Sequence, residues 1–276
     1  MLAFVIASML AVGLGLTVSE ILAPLRRGKI VVFALLANFV LMPLVALAIT
    51  KLLHLDQPLA IAFLLLGTAA GAPFLPKLSA IAKGNLAFSV GLMVLLMVLT
   101  VGYLPLVLPL LLKGVSVDPG KIARSLVILM LLPLGIGLVV RARYAGIAAR
   151  GEPWLNRLST LSLGVMIVLL VVTNVQNIIG LFGTRGVLAS ILFLGAGLGI
   201  GWLLGGAELS TKSVMALGTA QRNIAAALLV AGQSFNDPKI VVMVVVVAVV
   251  GLVIFLPFSR MAASRSAPAE SVLKSG

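Results

Sequence analysis

One arginine, Arg222, falls deep in a long apolar segment, inside the string LGTAQRN at 217–223. An ionisable group at that depth costs several kcal/mol unless it is paired or hydrated, which makes it a candidate for function. All seven acidic residues (Glu20, Asp56, Asp118, Glu152, Glu208, Asp237 and Glu270) fall in predicted loops, tails or helix ends. No carboxylate is expected near the bilayer centre to neutralise Arg222, so its simplest partner is an anionic substrate. Two alternatives stay open: an arginine satisfied by the carbonyls of another broken helix, or one snorkelling toward water. Lys77 lies nearer the end of its segment, snorkels more easily and ranks lower.

The letters LGTA also occur at 66–69, where AGAPFLPK follows. Pro73 and Pro76 cannot donate backbone hydrogen bonds and are expected to break the helix around Gly71 to Lys77. At the second copy the cluster Gly218, Thr219, Gln221, Arg222 and Asn223 interrupts a run made mostly of Ala, Leu, Ile and Val. A continuous membrane helix keeps every N–H and C=O occupied and offers a ligand only its side chains. Unwinding frees backbone dipoles, and half-helix N-termini carry partial positive charge. The predicted anion site therefore joins Arg222, Asn223, Gln221, Thr219 and Gly218 to Thr68, Gly71 and Pro73. Of the other polar residues in apolar segments, Asn38 can reach the crossing region, and Thr173, Asn174, Gln176 and Asn177 are placed near an outer entrance; Ser89 and Thr100 complete the set.

Other chemistries lack their residues. Cysteine is absent, which removes disulfides and thiolate metal or redox sites, and the lone His54 sits beside Asp56 in a predicted solvated loop. An intramembrane enzyme would need an Asp pair, a Ser–His pair or a metal cluster, and none is present, so no catalytic residue, metal or cofactor is assigned. The formal charge of +13 reflects Lys and Arg in short loops that set orientation; it does not imply nucleic acid.

The elements that must position these residues are membrane helices. The chain of 276 residues is 62% hydrophobic and 10% charged, with mean hydropathy +1.27. Hydropathy predicts an all-α integral membrane protein with nine spans, at about 2–23, 30–50, 58–82, 86–112, 122–140, 156–181, 187–205, 213–233 and 239–259. Residues 1–263 form one polytopic domain, with no loop long enough for a soluble one, and 264–276 are expected to be a disordered cytoplasmic tail. The first apolar run has no basic residue before it, unlike a cleavable signal. Basic residues concentrate on one side: Arg26, Arg27, Lys29, Lys83, Arg141, Arg143, Arg150, Arg157, Lys212, Arg260, Arg265 and Lys274. That places the N-terminus outside and the C-terminus in the cytoplasm of an inner (plasma) membrane, with Trp154 and Trp202 as interface anchors. Pro43, Pro105, Pro109 and Pro133 are read as ordinary kinks.

The LGTA copies fall in the third and eighth predicted spans, an odd offset that requires the two halves to be inverted in the membrane. Inverted repeats with broken helices at matching places are the pattern of alternating-access transporters, whose binding sites lie at the breaks. A five-span unit would need ten helices, so the first unit is expected to lack one, either because the protein begins without it or because the chain has been shortened.

With these features in place, the chain resembles the bile acid:sodium symporter family. The resemblance rests on VGLGLTVSE at 12–20, ANFVLMPLVALAI at 37–49, AKGNLAFSV at 82–90 and KSVMALGTAQRN at 212–223. It implies ten helices, sometimes nine, in a panel (1–29 and 122–182) and a core (30–113 and 187–259) holding two discontinuous helices that cross. It also implies organic anions moved with sodium. The family's Ser-Asn sodium ligands fall here on Leu75 and Pro76, its Glu on Leu217 and one Thr on Met93; Asn38, Ser89 and Gln221 retain oxygen ligands. Arg222 adds a repelling charge, so sodium is left as an open alternative at that residual site and not assigned. The related arsenite permeases rely on a membrane cysteine, which is absent. The resulting reading is a secondary transporter of a small organic anion in the lipid bilayer, working by alternating access. The alternative is a non-transporting sensor or scaffold that kept the fold. No oligomeric state is assigned.

Overall fold

A backbone surrounded by hydrocarbon must satisfy its N–H and C=O groups within itself, and this chain does so with helices. The computed structural model describes residues 2–22, 28–112, 118–173 and 185–265, and among them no strand occurs. The elements are α1 (Leu2–Gly15), α2 (Val18–Leu22), α3 (Gly28–Leu52), α4 (Gln57–Thr68), α5 (Leu75–Ile81) and α6 (Leu86–Leu111). They continue as α7 (Pro119–Arg143), α8 (Ala145–Thr173), α9 (Gly186–Leu204), α10 (Leu209–Ala220), α11 (Ile224–Ser234) and α12 (Pro238–Arg265). Among the described residues, six stretches are long and apolar enough to cross a membrane: α3, α6, α7, α9, α10 with α11, and α12. Their outward faces carry exposed Leu106, Leu110, Leu188, Ile191, Leu203 and Val253, a surface suited to lipid and not to water.

α1 packs on α7 and α8. Gly13 and Gly137 allow the first of these contacts, because a Cβ on either would sit 2.9 or 2.8 Å from the other's Cα. α9 packs along α10 and against α12, and α4 lies between α3 and α12.

Both expected helix breaks are present, with shifted limits. The first runs from Ala69 to Phe74, and Pro76 lies in the opening turn of α5. A proline there loses no hydrogen bond, because the first-turn N–H groups have no helical partner; Pro76 thus starts a helix that it was expected to break. The second break is confined to Gln221–Asn223, with Gly218 and Thr219 still helical. Hydropathy also misplaced ends whose outer turns are polar. α8 begins at Ala145, so Arg150, Glu152 and Arg157 are helical, and α12 continues to Arg265, taking in the first two residues of the expected tail. The remaining tail, Arg26, Arg27, Lys113, Asn174, Gln176 and Asn177 lie outside the described residues.

Pro43 does more than kink its helix. Residues Ala37–Leu41 form a π-turn inside α3, in which the Met42 N–H reaches back to Ala37 O. Pro43 has no N–H for the carbonyl of Phe39, four residues earlier, and that oxygen accepts a hydrogen bond from Tyr103 of α6. The carbonyl of Asn38 likewise loses its usual donor, Met42. A matching π-turn, Val127–Leu131, precedes Pro133 in α7.

Candidate functional site

The two breaks meet. The Asn223 N–H donates to Ala69 O at 2.9 Å, which ties the start of α11 to the end of α4. Around the first break, Thr100 of α6 accepts from Ala70 N at 3.0 Å and donates to Ala70 O at 3.1 Å, so one hydroxyl satisfies both polar groups of an unwound residue. Gly71 has φ +80°, a conformation glycine adopts freely, and any Cβ there would press on the backbone of Met97. The AKGN turn closes the far end of α5: Lys83 is left-handed, Gly84 N donates to Ser79 O, and Asn85 caps α6 while its N–H reaches Ser210 O at 3.1 Å.

Arg222 occupies the meeting point and is 2% exposed. Its Nε donates to Leu66 O at 2.8 Å and its Nη2 to Gly67 O at 2.8 Å. Its Nη1 donates to Asn38 Oδ1 at 2.7 Å and to Thr219 O at 3.1 Å, and Nη2 makes a longer contact with Asn38 O at 3.5 Å. Every one of these partners is a neutral oxygen. Leu66 and Gly67 belong to the last turn of α4, and Thr219 to the last turn of α10. Carbonyls at helix C-termini lack helical donors, and each such end carries about half a negative charge. Two ends converging on one guanidinium balance about one positive charge. The alternative of an arginine satisfied by the carbonyls of the other broken helix is therefore the arrangement found.

Next to Arg222 lies a cavity of about 140 Å³. Its walls are Phe4 of α1, Leu163 of α8, Leu194 of α9, Ile224 of α11, and Val245, Val247, Ala248, Val249, Leu252 and Phe255 of α12; Gln221 and Arg222 are the polar members. Gln221 is buried and its Oε1 has no hydrogen-bond partner. The Thr219 hydroxyl and the Asn223 Nδ2 are buried without partners as well.

Of the residues expected to bind substrate, Gln221 and Arg222 line this cavity. The others serve the breaks. Thr68 bonds back to Leu64 O, and Asn223 caps α11 by accepting from Ala226 N at 3.0 Å. Gly218 faces Leu75 and Leu92, and Pro73 sits half-buried in the turn before α5. The residual ion-site residues are dispersed in their bonding: Asn38 gives its oxygen to Arg222, Ser89 donates to Ser79 Oγ at 2.8 Å, and Gln221 Oε1 stays open. Lys77 is exposed, 5.5 Å from the Phe74 ring centroid. Thr173 lines a wide surface depression with Ala3, Ser162 and Met166. The cavity walls and Tyr103 escaped the sequence reading. The walls are apolar residues among many; for Tyr103, a proline four positions after Phe39 is the one signal that a free carbonyl needs a donor.

Comparison with known proteins shows the family. The model of the sodium bile acid symporter family matches residues 2–181. An uncharacterised sodium-dependent transporter of Bacillus subtilis, YocS, is 28% identical over 199 residues, covering 71% of this chain and 60% of that protein. The hepatic sodium/bile acid cotransporter of Rattus norvegicus is 31% identical over 192 residues, or 66% of this chain and 52% of the relative. A probable sodium/metabolite cotransporter of Arabidopsis thaliana chloroplasts is 25% identical over 235 residues, 84% of this chain and 58% of its own length. The matches thus span between about half and three fifths of these relatives. The chain belongs to the sodium bile acid symporter family.

Proposed function

We propose that this family member is a secondary transporter that carries a small organic anion across the membrane by alternating access, and not an enzyme. The observation that carries the reading is the apolar cavity beside the paired breaks, with Gln221 and Arg222 at its polar end. A buried cavity of about 150 Å³ accepts a benzene-sized molecule. The matching substrate has a compact apolar body and one anionic group. Gln221 can present either end of its amide by rotation. Gln221 and the N-terminus of α11, which opens at Ile224 on the cavity wall, are the groups that meet the anion, because the N–H groups of Arg222 are committed to carbonyls and its charge is offset by the two helix ends.

The cavity walls suggest how access alternates. Phe4 and Leu163 belong to α1 and α8, which with α7 form the proposed panel; Leu194, Ile224, Val245 and Phe255 belong to the proposed core. A site shared between two bodies is exposed to alternate sides when they rock. The reading includes nine crossings with the N-terminus outside, and an inverted repeat relating the two broken helices. The relatives' names make sodium the expected partner ion. Here Leu75, Pro76, Met93 and Leu217 stand at positions where the family resemblance calls for ligand side chains. Transport is therefore proposed to follow the substrate gradient.

The test is uptake of labelled small carboxylates into proteoliposomes, with sodium or choline outside, by wild type and by Ala248→Phe, which fills the cavity. Saturable uptake abolished by the substitution is expected. Wild-type uptake that the filled cavity leaves unchanged would place the substrate elsewhere.

A further inference from the structure

We infer that the Arg222 guanidinium is a tethered cation: it fills the cation position where the broken helices cross, so that no exchangeable sodium ion is needed there. Unwound carbonyls and half-helix C-termini are the groups with which membrane transporters hold sodium. At this crossing those groups are Leu66 O and Gly67 O from one half-helix and Thr219 O from the other, and all three point at Arg222. Asn38 Oδ1 completes the cage from α3, at 2.7 Å. The π-turn before Pro43 frees the carbonyl of Asn38, and that oxygen also turns to Arg222.

The chemistry favours a guanidinium. Five N–H groups fixed in one plane can meet several oxygens from three helices at once, whereas a lysine ammonium has three donors. Its charge is spread over the plane and balances the two converging helix ends without a carboxylate. A sodium ion on the same oxygens would stand within contact distance of a fixed positive charge. Arg222 and a bound cation therefore exclude each other. Leu217, Leu75 and Pro76, where the family resemblance calls for a carboxylate, a hydroxyl and an amide, fit the same logic, because a guanidinium bound to the chain needs no further negative charge to hold it.

The inference concerns the crossing and not the solute, so its test does not depend on transport. Wild type, Arg222→Ala and Arg222→Lys are melted in detergent with sodium, guanidinium or choline chloride at equal, millimolar concentration. Arg222 borders the cavity, so removing its side chain leaves the vacated cage open to small ions. Wild type is expected to melt at the same temperature in all three salts, and Arg222→Lys, still positively charged, to melt lower in each without discriminating among them. Arg222→Ala should melt lowest in choline and recover by about 3–6 °C when guanidinium or sodium reaches ten times its dissociation constant. Sodium-specific stabilisation of the wild type would overturn the inference, and so would an Arg222→Ala protein indifferent to the cation. If Arg222→Ala cannot be purified in choline, Arg222→Gln, neutral and close in length, takes its place under the same two criteria.

Discussion

Gly71→Ala tests the geometry on which the crossing depends. Gly71 is the left-handed residue of the first break, and a Cβ there would lie 2.6 Å from Met97 Cα and 2.8 Å from Leu96 C. Those atoms are backbone of α6 and cannot turn aside as a side chain would. Holding alanine left-handed costs about 1–2 kcal/mol. Forcing a methyl into a filled space adds about 1–3 kcal/mol. The sum, about 2–5 kcal/mol, corresponds to a fall of about 4–20 °C in Tm for a chain of this size. Gly102→Ala is the matched control, since nothing lies within 4 Å of its added methyl and it sits in the interior of the same helix. It should leave Tm unchanged or raise it slightly, by the helix preference of alanine over glycine of about 0.5–1 kcal/mol. Melting followed through Trp154 and Trp202 fluorescence in detergent measures both variants. A Gly71→Ala protein melting within about 1 °C of wild type, well below the shift just estimated, would mean that the break does not approach α6 as described.

Two further substitutions separate binding from stability. Gln221→Leu replaces a buried acceptor that has no partner, so Tm should hold or rise, while KM for the transported anion rises about tenfold or more through loss of one hydrogen bond to it; an unchanged KM in the uptake assay would remove Gln221 from the site. Asn38→Leu keeps side-chain volume but strips Arg222 of its 2.7 Å acceptor, and should cost about 1.5–3 kcal/mol, read as a lower Tm. A wild-type melting curve for that variant would contradict the role given to Asn38.

How much of this was legible in the sequence depends on the kind of residue. Pro73, Pro76 and the cluster at 218–223 announced two broken helices, because prolines and polar residues stand out in apolar runs. The limits of the breaks were less visible, since Pro76 interrupts or opens a helix depending on where the preceding turn ends. Arg222 was legible as buried but not as bonded. Its acceptors are backbone oxygens of Leu66, Gly67 and Thr219, and a carbonyl carries no letter of its own. Pro43 is the clearest case: as a letter it reads as a kink, while its consequence is to free two carbonyls for Tyr103 and Arg222. The beginning of α8 was hidden for a different reason, because hydropathy follows solvent and the helix continues past the apolar run through Arg157, Glu152 and Arg150.

The two LGTA strings acquire a common role at the crossing. Each closes a half-helix, the first at Thr68 and the second at Ala220, and each supplies carbonyls to the same guanidinium. Arg222 thereby binds α3, α4 and α10 into one knot, and all three lie in the proposed core. A core that rocks must move such a knot as a unit, since pulling α4 from α10 would strand a buried charge. The surface against α1 and α8 is different: there the cavity walls are apolar, and apolar contacts slide without leaving unpaired groups. Ser125 of α7 does bond to Gln233 of α11, at an exposed position where water can replace either partner. On the proposed mechanism, the arginine makes the core rigid, and the oily seam beside it is where motion and substrate meet.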